Sequence, residues 1–261
     1  MTRNQKAAED RSTTTTLRGI LLPLPEELRA STLTHEERQK DGTGCVGAIV
    51  WPAAMHLCDV FEQRAAWLRA QQCRAIELGS GVGLSGLVAG KAYHLDVTLT
   101  DYHELVLQAL RESVRANGLT KTCVVRHLDW EDCATLRSGP WGLAFGADLA
   151  VSTRAATSLA RCVRQVLDWP ASGGLCSGQS GTFIYAHTER RAIYRDNESG
   201  NVVVEPTDSG LDSLKKALSG IDCAILSERT SGDGEPTLVL AFGQMIGTLG
   251  RPKRATAGRP K

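Results

Sequence analysis

The chain has 261 residues, 42% hydrophobic and 23% charged, an ordinary composition for a soluble globular protein that excludes wholesale disorder, collagen and coiled coil. Thirty Lys and Arg against 29 Asp and Glu give a net charge of +1, so no general affinity for polyanions follows. The balance conceals an asymmetry: Arg251, Lys253, Arg254, Arg259 and Lys261 lie at the end, and the rest of the chain carries 25 bases against 29 acids.

Residues 1–16 are polar and rich in threonine with no apolar core, which predicts a disordered tail and neither a signal peptide nor an anchor. From Leu17 to Thr43 the pattern is short and irregular, with Pro23 and Pro25 limiting any helix, so a small extended preface is expected. The longest apolar stretch, Cys45 to Cys58, is interrupted by Gly47, Pro52 and His56 and falls short of the roughly 20 apolar residues of a membrane span. Pro52 suits a first helical turn, and Leu57, Val60, Phe61, Ala65 and Leu68 follow at helical spacing.

Strands and helices then alternate, the signature of a parallel sheet covered on both faces. Cys73–Leu78 reads as a buried strand, Leu84–Lys91 as a helix, Asp96–Thr100 as a second strand and His103–Asn117 as an amphipathic helix ended by Asn117-Gly118. Cys123–Leu128 and Leu143–Ala147 give a third and a fourth strand, and Ala156, Leu159, Val163, Val166 and Leu167 the face of another helix. Pro170–Gly181 is a glycine-rich loop, Thr182–Ala186 a fifth strand, and Arg190–Gly210 a polar surface excursion. Ile221–Ser227 and Thr237–Phe242 form a closing hairpin. The expected fold is α/β: a doubly wound, mostly parallel seven-stranded sheet closed by an antiparallel hairpin, in one domain over residues 17–247. Residues 248–261 form a basic tail.

Eight dispersed cysteines without a Cys-x-x-Cys, and histidines without ligand spacing, predict reduced thiols, no metal and a cytoplasmic or nuclear protein. The tail carries two copies of Gly-Arg-Pro-Lys, at Gly250–Lys253 and Gly258–Lys261. They read as a solvated end, with a nuclear address or weak, salt-sensitive contact with nucleic acid as alternatives.

The most informative stretch is Ala75-Ile76-Glu77-Leu78-Gly79-Ser80-Gly81-Val82-Gly83-Leu84-Ser85-Gly86. A buried strand that runs into spaced glycines and a helix offers bare amides to a nucleotide-like cofactor. Gly81-x-Gly83-x-x-Gly86 alone matches the dinucleotide fingerprint and is weakly specific. Glu77 precedes the first glycine, and Thr100-Asp101 ends the next strand where an acid can accept both hydroxyls of a ribose. An acid at Glu77 suits the ammonium of a methionine moiety and would repel the phosphates of NAD. The alternative role for Asp101 is a cap on the helix after it.

Over Gly44 to Ala186 the chain resembles the seven-β-strand protein-lysine methyltransferases, the lysine methyltransferase 16 group. The resemblance is carried by Val50-Trp51-Pro52-Ala53-Ala54, Glu77–Gly86, Thr98-Leu99-Thr100-Asp101, Leu128-Asp129-Trp130 and Gly146-Ala147-Asp148, in that order. It implies a Rossmann-like methyltransferase fold and the cofactor S-adenosylmethionine. Gly79, Ser80 and Gly81 would pass under the methionine part and Asp101 would hold the ribose. Trp130 would flank the adenine, Ala147 would line the pocket, and Trp51 would cover the cofactor. Asp148 would orient an incoming lysine amine of a protein substrate. The family's Asp-x-x-Tyr is here Asp148-Leu149-Ala150-Val151, so the tyrosine is missing; Tyr185 or Tyr194 is a candidate to replace it. A methyltransferase is the leading expectation. A cofactor-binding regulatory protein and a nicotinamide-dependent oxidoreductase are the alternatives. Tyr185 to Arg190, after the fifth strand, resembles the family's strand ending that leads to an arginine and is placed on the same rim as Asp148; within it His187 is read as a surface histidine.

Overall fold

The computed structural model of the chain describes residues 13–24, 46–71, 73–133, 136, 139, 141–168, 181–191, 193–195, 201–230 and 236–243. The expected basic tail, most of the glycine-rich loop and the side chain of Tyr194 lie outside the described residues.

Seven strands form the main sheet: β3 (Ala75–Glu77), β4 (Val97–Asp101), β5 (Cys123–His127), β6 (Leu143–Ala147), β7 (Thr182–Thr188), β10 (Cys223–Thr230) and β11 (Pro236–Gly243). Their order is β10-β11-β7-β6-β3-β4-β5. The five strands from β7 to β5 run parallel, and β11 pairs antiparallel with both β7 and β10. This is the expected doubly wound sheet with a closing hairpin.

Helices α1 (Pro52–Gln63), α3 (Leu84–Tyr93) and α4 (Glu104–Ala116) cover one face; α5 (Thr153–Leu167) and α6 (Ser209–Ala217) cover the other. The short α2 (Ala65–Arg69) continues α1 after a break at Arg64, where one helix was expected. Period-two alternation decides which core each strand residue joins. Ala75, Leu143, Phe145, Ile184, Ala186, Val239 and Ala241 pack under α1 and α3, whereas Ile76, Ala144, Phe183, Tyr185, Leu238, Leu240 and Phe242 pack under α5 and α6. The end of α4 is a Schellman turn: Gly118 N donates to Arg115 O and Leu119 N to Val114 O, with Gly118 at φ +67°.

Three further elements depart from expectation. The preface is a hairpin, β1 (Thr13–Leu17) with β2 (Ile20–Leu24), turning at Arg18 and Gly19, so a strand crosses the expected tail boundary at residue 16. Pro23 is tolerated because this ribbon has only two strands and each is an edge. The ribbon is fixed by an ion pair of Arg18 with Asp59, which also pairs with Arg229, and by Asn117, which bonds both the amide and the carbonyl of Leu21. The supposed excursion contains a second ribbon, β8 (Ile193–Arg195) with β9 (Val202–Val204), and it is followed by α6, capped by Asp208. Among the described residues no helix is long and apolar enough to cross a membrane.

In the first turn of α6, Gly210 presses on the carbonyl of Ala150, and a Cβ would collide with that backbone oxygen. Helix propensity favours alanine over glycine by about 1 kcal/mol. Gly210→Ala should nonetheless destabilise the protein by about 1 to 3 kcal/mol, as overpacking against backbone does. A urea midpoint that rises instead would mean that α6 can lift off the turn without cost.

Candidate active site

Between β3 and α3 the chain makes a turn in which Gly79, Gly81 and Gly83 have φ of +59°, +54° and +86°. The turn is sewn to the end of β4: Ser80 N donates to Thr100 O at 2.7 Å, and Thr100 N donates to Ser80 Oγ at 2.9 Å. A Cβ on Gly79 would lie 2.6 Å from Leu149 Cδ2 and 3.2 Å from Trp130 Cζ2. Bare backbone at Gly79 is therefore what lets the indole and the leucine close over the turn.

Above it lies a cavity of about 390 Å³ at the carboxyl ends of β3, β4 and β6. There the strand order reverses, the place where open α/β sheets take their ligands. All nine residues singled out from the sequence line this cavity: Trp51, Glu77, Gly79, Ser80, Gly81, Asp101, Trp130, Ala147 and Asp148. They come from five separate segments.

The two acids flanking the turn are buried. Asp101 accepts from Gly81 N at 3.1 Å and from His103 N at 3.0 Å. Burial raises its carboxyl, against the pull of those amides. Its side chain does not cap α4, whose N-cap is His103 without a side-chain bond. The helix-cap alternative is thus corrected: the carboxylate ties the turn after β4 to the glycine turn after β3.

Glu77 accepts from Gly86 N at 3.2 Å through Oε1. Its Oε2 is buried and has no hydrogen-bond partner among the described residues, although the Ser80 and Ser85 hydroxyls lie close enough to favour the charged form. Burial dominates and pushes the carboxyl up to about 7.

On the opposite wall, Asp148 leaves β6 in the left-handed region at φ +55°, a conformation that Asp and Asn tolerate better than most residues. Its carboxylate is engaged on both oxygens. Thr188 N donates to Oδ1 at 2.8 Å, and the Arg190 guanidinium grips Oδ1 at 3.3 Å and Oδ2 at 2.9 Å. The same guanidinium lies 5.2 Å from the ring centroid of Trp51, a cation–π distance. Asp148 therefore meets the cavity as half of an ion pair. Val151, where the tyrosine was expected, is 71% exposed at the cavity wall.

Tyr185 and His187 are corrected by the fold. Both are on β7 with side chains 1% exposed or less, so His187 is a core residue and not a surface one. They face the α5–α6 side with Phe183, as the alternation along β7 dictates. Tyr185 does not line the cavity, and so it does not stand where the missing tyrosine would.

A family model described as lysine methyltransferase matches residues 28–192, well over half of the chain. The chain belongs to the lysine methyltransferase family. Mouse protein N-lysine methyltransferase METTL21A is 34% identical to it over 139 residues, 52% of this chain and 58% of that protein. Mouse EEF1A lysine methyltransferase 3 is 35% identical over 108 residues, 40% of this chain and 44% of that one. Mouse protein-lysine N-methyltransferase EEF2KMT is 27% identical over 181 residues, 63% of this chain and 50% of the other. The chain spans about half the length of the curated relatives it matches. Among solved structures, the PH0226 protein of Pyrococcus horikoshii OT3 matches with a TM-score of 0.52 at 15% identity, over 80% of this chain and 99% of that one. That likeness concerns the fold, and it agrees with the seven-stranded sheet.

Sequence reasoning did not foresee three features of this lysine methyltransferase family member's site. Arg190 pairs with Asp148. Tyr102, 66% exposed, and Arg154 stand at the cavity wall. Leu149 closes on Gly79. Only the position of Arg190 just past β7 carried any signal.

Proposed function

We propose that the chain transfers a methyl group from S-adenosylmethionine to a lysine side chain of a protein. The observation that carries this reading is the convergence, in one cavity of a lysine methyltransferase family member, of the glycine turn, Glu77, Asp101 and Trp130. The lining fits the cofactor. A buried acid with an unpartnered oxygen suits a cationic methionine end, a second acid beside the turn suits ribose hydroxyls, and an indole lying over Gly79 suits a purine. A pyrophosphate would instead face both carboxylates, which disfavours NAD.

When bound, the cofactor supplies a methyl group on a sulfonium that is open to in-line attack. The residues of this chain align the reactants and keep out water. The turn of Gly79, Ser80 and Gly81 would pass under the methionine part, Asp101 would hold the ribose, Trp130 would flank the adenine, Ala147 would line the pocket, and Trp51 would cover the site. Attack needs a neutral amine, so a lysine must lose its proton before reaction, which a partly desolvated cavity promotes. Asp148 orients that amine from the end of β6. A cytoplasmic or nuclear place of action belongs to the same reading; all six described cysteines are unbridged, Cys133 and Cys162 with sulfurs only 2.8 Å apart included.

A second reading has an observation of its own. With Val151 in the tyrosine's place and Asp148 already paired with Arg190, the chain would bind cofactor and act as a regulator without transferring methyl groups. Calorimetry with S-adenosylmethionine and with NAD, followed by incubation with tritiated S-adenosylmethionine and a cell extract, separates the readings. Binding of the first ligand alone and a labelled protein band are expected. Binding without any labelled band would favour the regulator, and silence toward both ligands would end the cofactor assignment. Asp101→Ala should weaken S-adenosylmethionine binding by about 1.5 to 3 kcal/mol, the scale of hydrogen bonds that involve a charged group. An unchanged dissociation constant would remove Asp101 from the ribose role.

A further inference from the structure

On the α5–α6 side of the sheet, beneath the Asp148 turn, the phenol oxygen of Tyr185 has three polar neighbours and one way to satisfy them. Leu149 N and Ala150 N lie 3.0 and 2.8 Å away, and His187 Nδ1 lies at 2.8 Å. Backbone amides can only donate, so both phenol lone pairs are taken and the phenol proton must go to Nδ1. Nδ1 is therefore bare. The ring proton sits on Nε2, where Asp208 Oδ2 accepts it at 2.9 Å.

Asp208 also accepts from Leu211 N at 2.8 Å, which caps α6, and from Arg190 N at 2.7 Å. Burial alone would raise its carboxyl, but these bonds outweigh burial and hold it at about 2. The relay has a single direction, from phenol through imidazole to carboxylate. None of its three members lines the cavity. Yet its two ends hold both halves of the ion pair that does: the turn of Asp148, Leu149 and Ala150 at one end, and the backbone of Arg190 at the other.

We infer that Tyr185, His187 and Asp208 are positioning residues for methyl transfer, holding the Asp148 carboxylate in place through the two amides that follow it and the arginine that pairs with it. The inference rests on the proposed role of Asp148. An apolar β7 would pack as well on this face, but it would leave the amides of Leu149 and Ala150 without their acceptor and the left-handed Asp148 without its anchor. A turn free to shift carries the carboxylate with it, and small displacements of an aligning group cost rate rather than cofactor affinity.

The test uses the full chain. Tyr185→Phe keeps the ring stacked 5.7 Å from Phe183 and removes only the hydroxyl. With tritiated S-adenosylmethionine varied against a fixed cell extract, the maximal labelling rate should fall about ten-fold or more while the KM for S-adenosylmethionine stays within about two-fold. Amide exchange of Leu149 and Ala150 should quicken while that of Gly81 and Trp130 does not. His187→Asn, whose side-chain oxygen can accept the phenol proton, should retain more rate than His187→Leu. Long-range nitrogen–proton spectra of the wild type should find His187 protonated on Nε2. A proton on Nδ1, a Tyr185→Phe labelling rate equal to wild type, or a loss of rate matched by loss of S-adenosylmethionine affinity would each overturn the positioning role. Failure of the wild type itself to label any protein would instead overturn the activity reading.

Discussion

Asp148→Ala should abolish methyl labelling, with a rate at least about 100-fold below wild type and S-adenosylmethionine affinity within about three-fold, because a misplaced amine loses alignment while the cofactor pocket stands. The geometry explains why the effect should be large. The carboxylate draws the Thr188 amide, the Arg190 guanidinium and the start of the Asp148 turn to one point. Its removal leaves a guanidinium against Trp51 with its carboxylate partner gone. Alanine is also less at ease than aspartate at φ +55°, a penalty of about 1 to 2 kcal/mol. Asp148→Asn separates geometry from charge. It keeps an acceptor for Thr188 N and tolerates the left-handed backbone, but it dissolves the ion pair. If the negative charge orients the amine, Asn should be nearly as slow as Ala, with a thermal midpoint closer to wild type. Labelling at the wild-type rate by a folded Asp148→Ala protein would remove Asp148 from the reaction.

Glu77 should impose a pH dependence on both folding and cofactor binding. Its carboxyl is at about 7 in the folded chain, against 4.5 as the ordinary value, with burial as the main cause. A raised carboxyl binds its proton more tightly in the folded than in the unfolded chain. Its contribution to stability is therefore fully present below pH 4.5 and is lost as pH rises through 7. The shift corresponds to an increment on the order of 3 kcal/mol between those limits. Glu77→Gln removes the ionisation and keeps an acceptor for Gly86 N. The stability difference between wild type and Glu77→Gln should therefore move against the wild type as pH goes from 5 to 8. A cationic ligand prefers the ionised form, so S-adenosylmethionine should bind wild type more tightly across the same range. Near pH 6 its binding should release up to about one proton, measured by calorimetry in buffers of different ionisation heat. The variant should release less. Equal proton release by wild type and variant would show that Glu77 does not sense the cofactor.

Much of this architecture was legible because its signals are local. The strand Leu143–Ala147 and the end of α4 at Asn117-Gly118 were read to the residue, since alternation and a left-handed glycine depend only on near neighbours. The α6 helix was not, although Leu211, Leu214 and Leu218 have helical spacing and all are buried. The polar run before them concealed its start at the Asp208 cap. His187 was misjudged for a different reason. A polar residue on a strand looks solvated until Phe183 and Tyr185, four and two positions before it, are recognised as sharing its buried face.

The sequence by itself determined a glycine turn between a buried strand and a helix, with an acid ending the next strand; the tryptophan after the third strand was drawn from the family resemblance. The turn was legible because spaced glycines and the strand and helix beside them are signals between near neighbours. Only the tertiary structure decided what the Asp148 carboxylate faces. The parallel register of β6 against β7, which sets Ala147 beside Ala186, brings Arg190 to Asp148 across 42 positions of chain. That same register aims the phenol of Tyr185 at the Asp148 turn, and α6 then supplies Asp208 to complete the relay. Pairings of this kind depend on how two strands and a helix seat together, and no residue spacing along the chain encodes that.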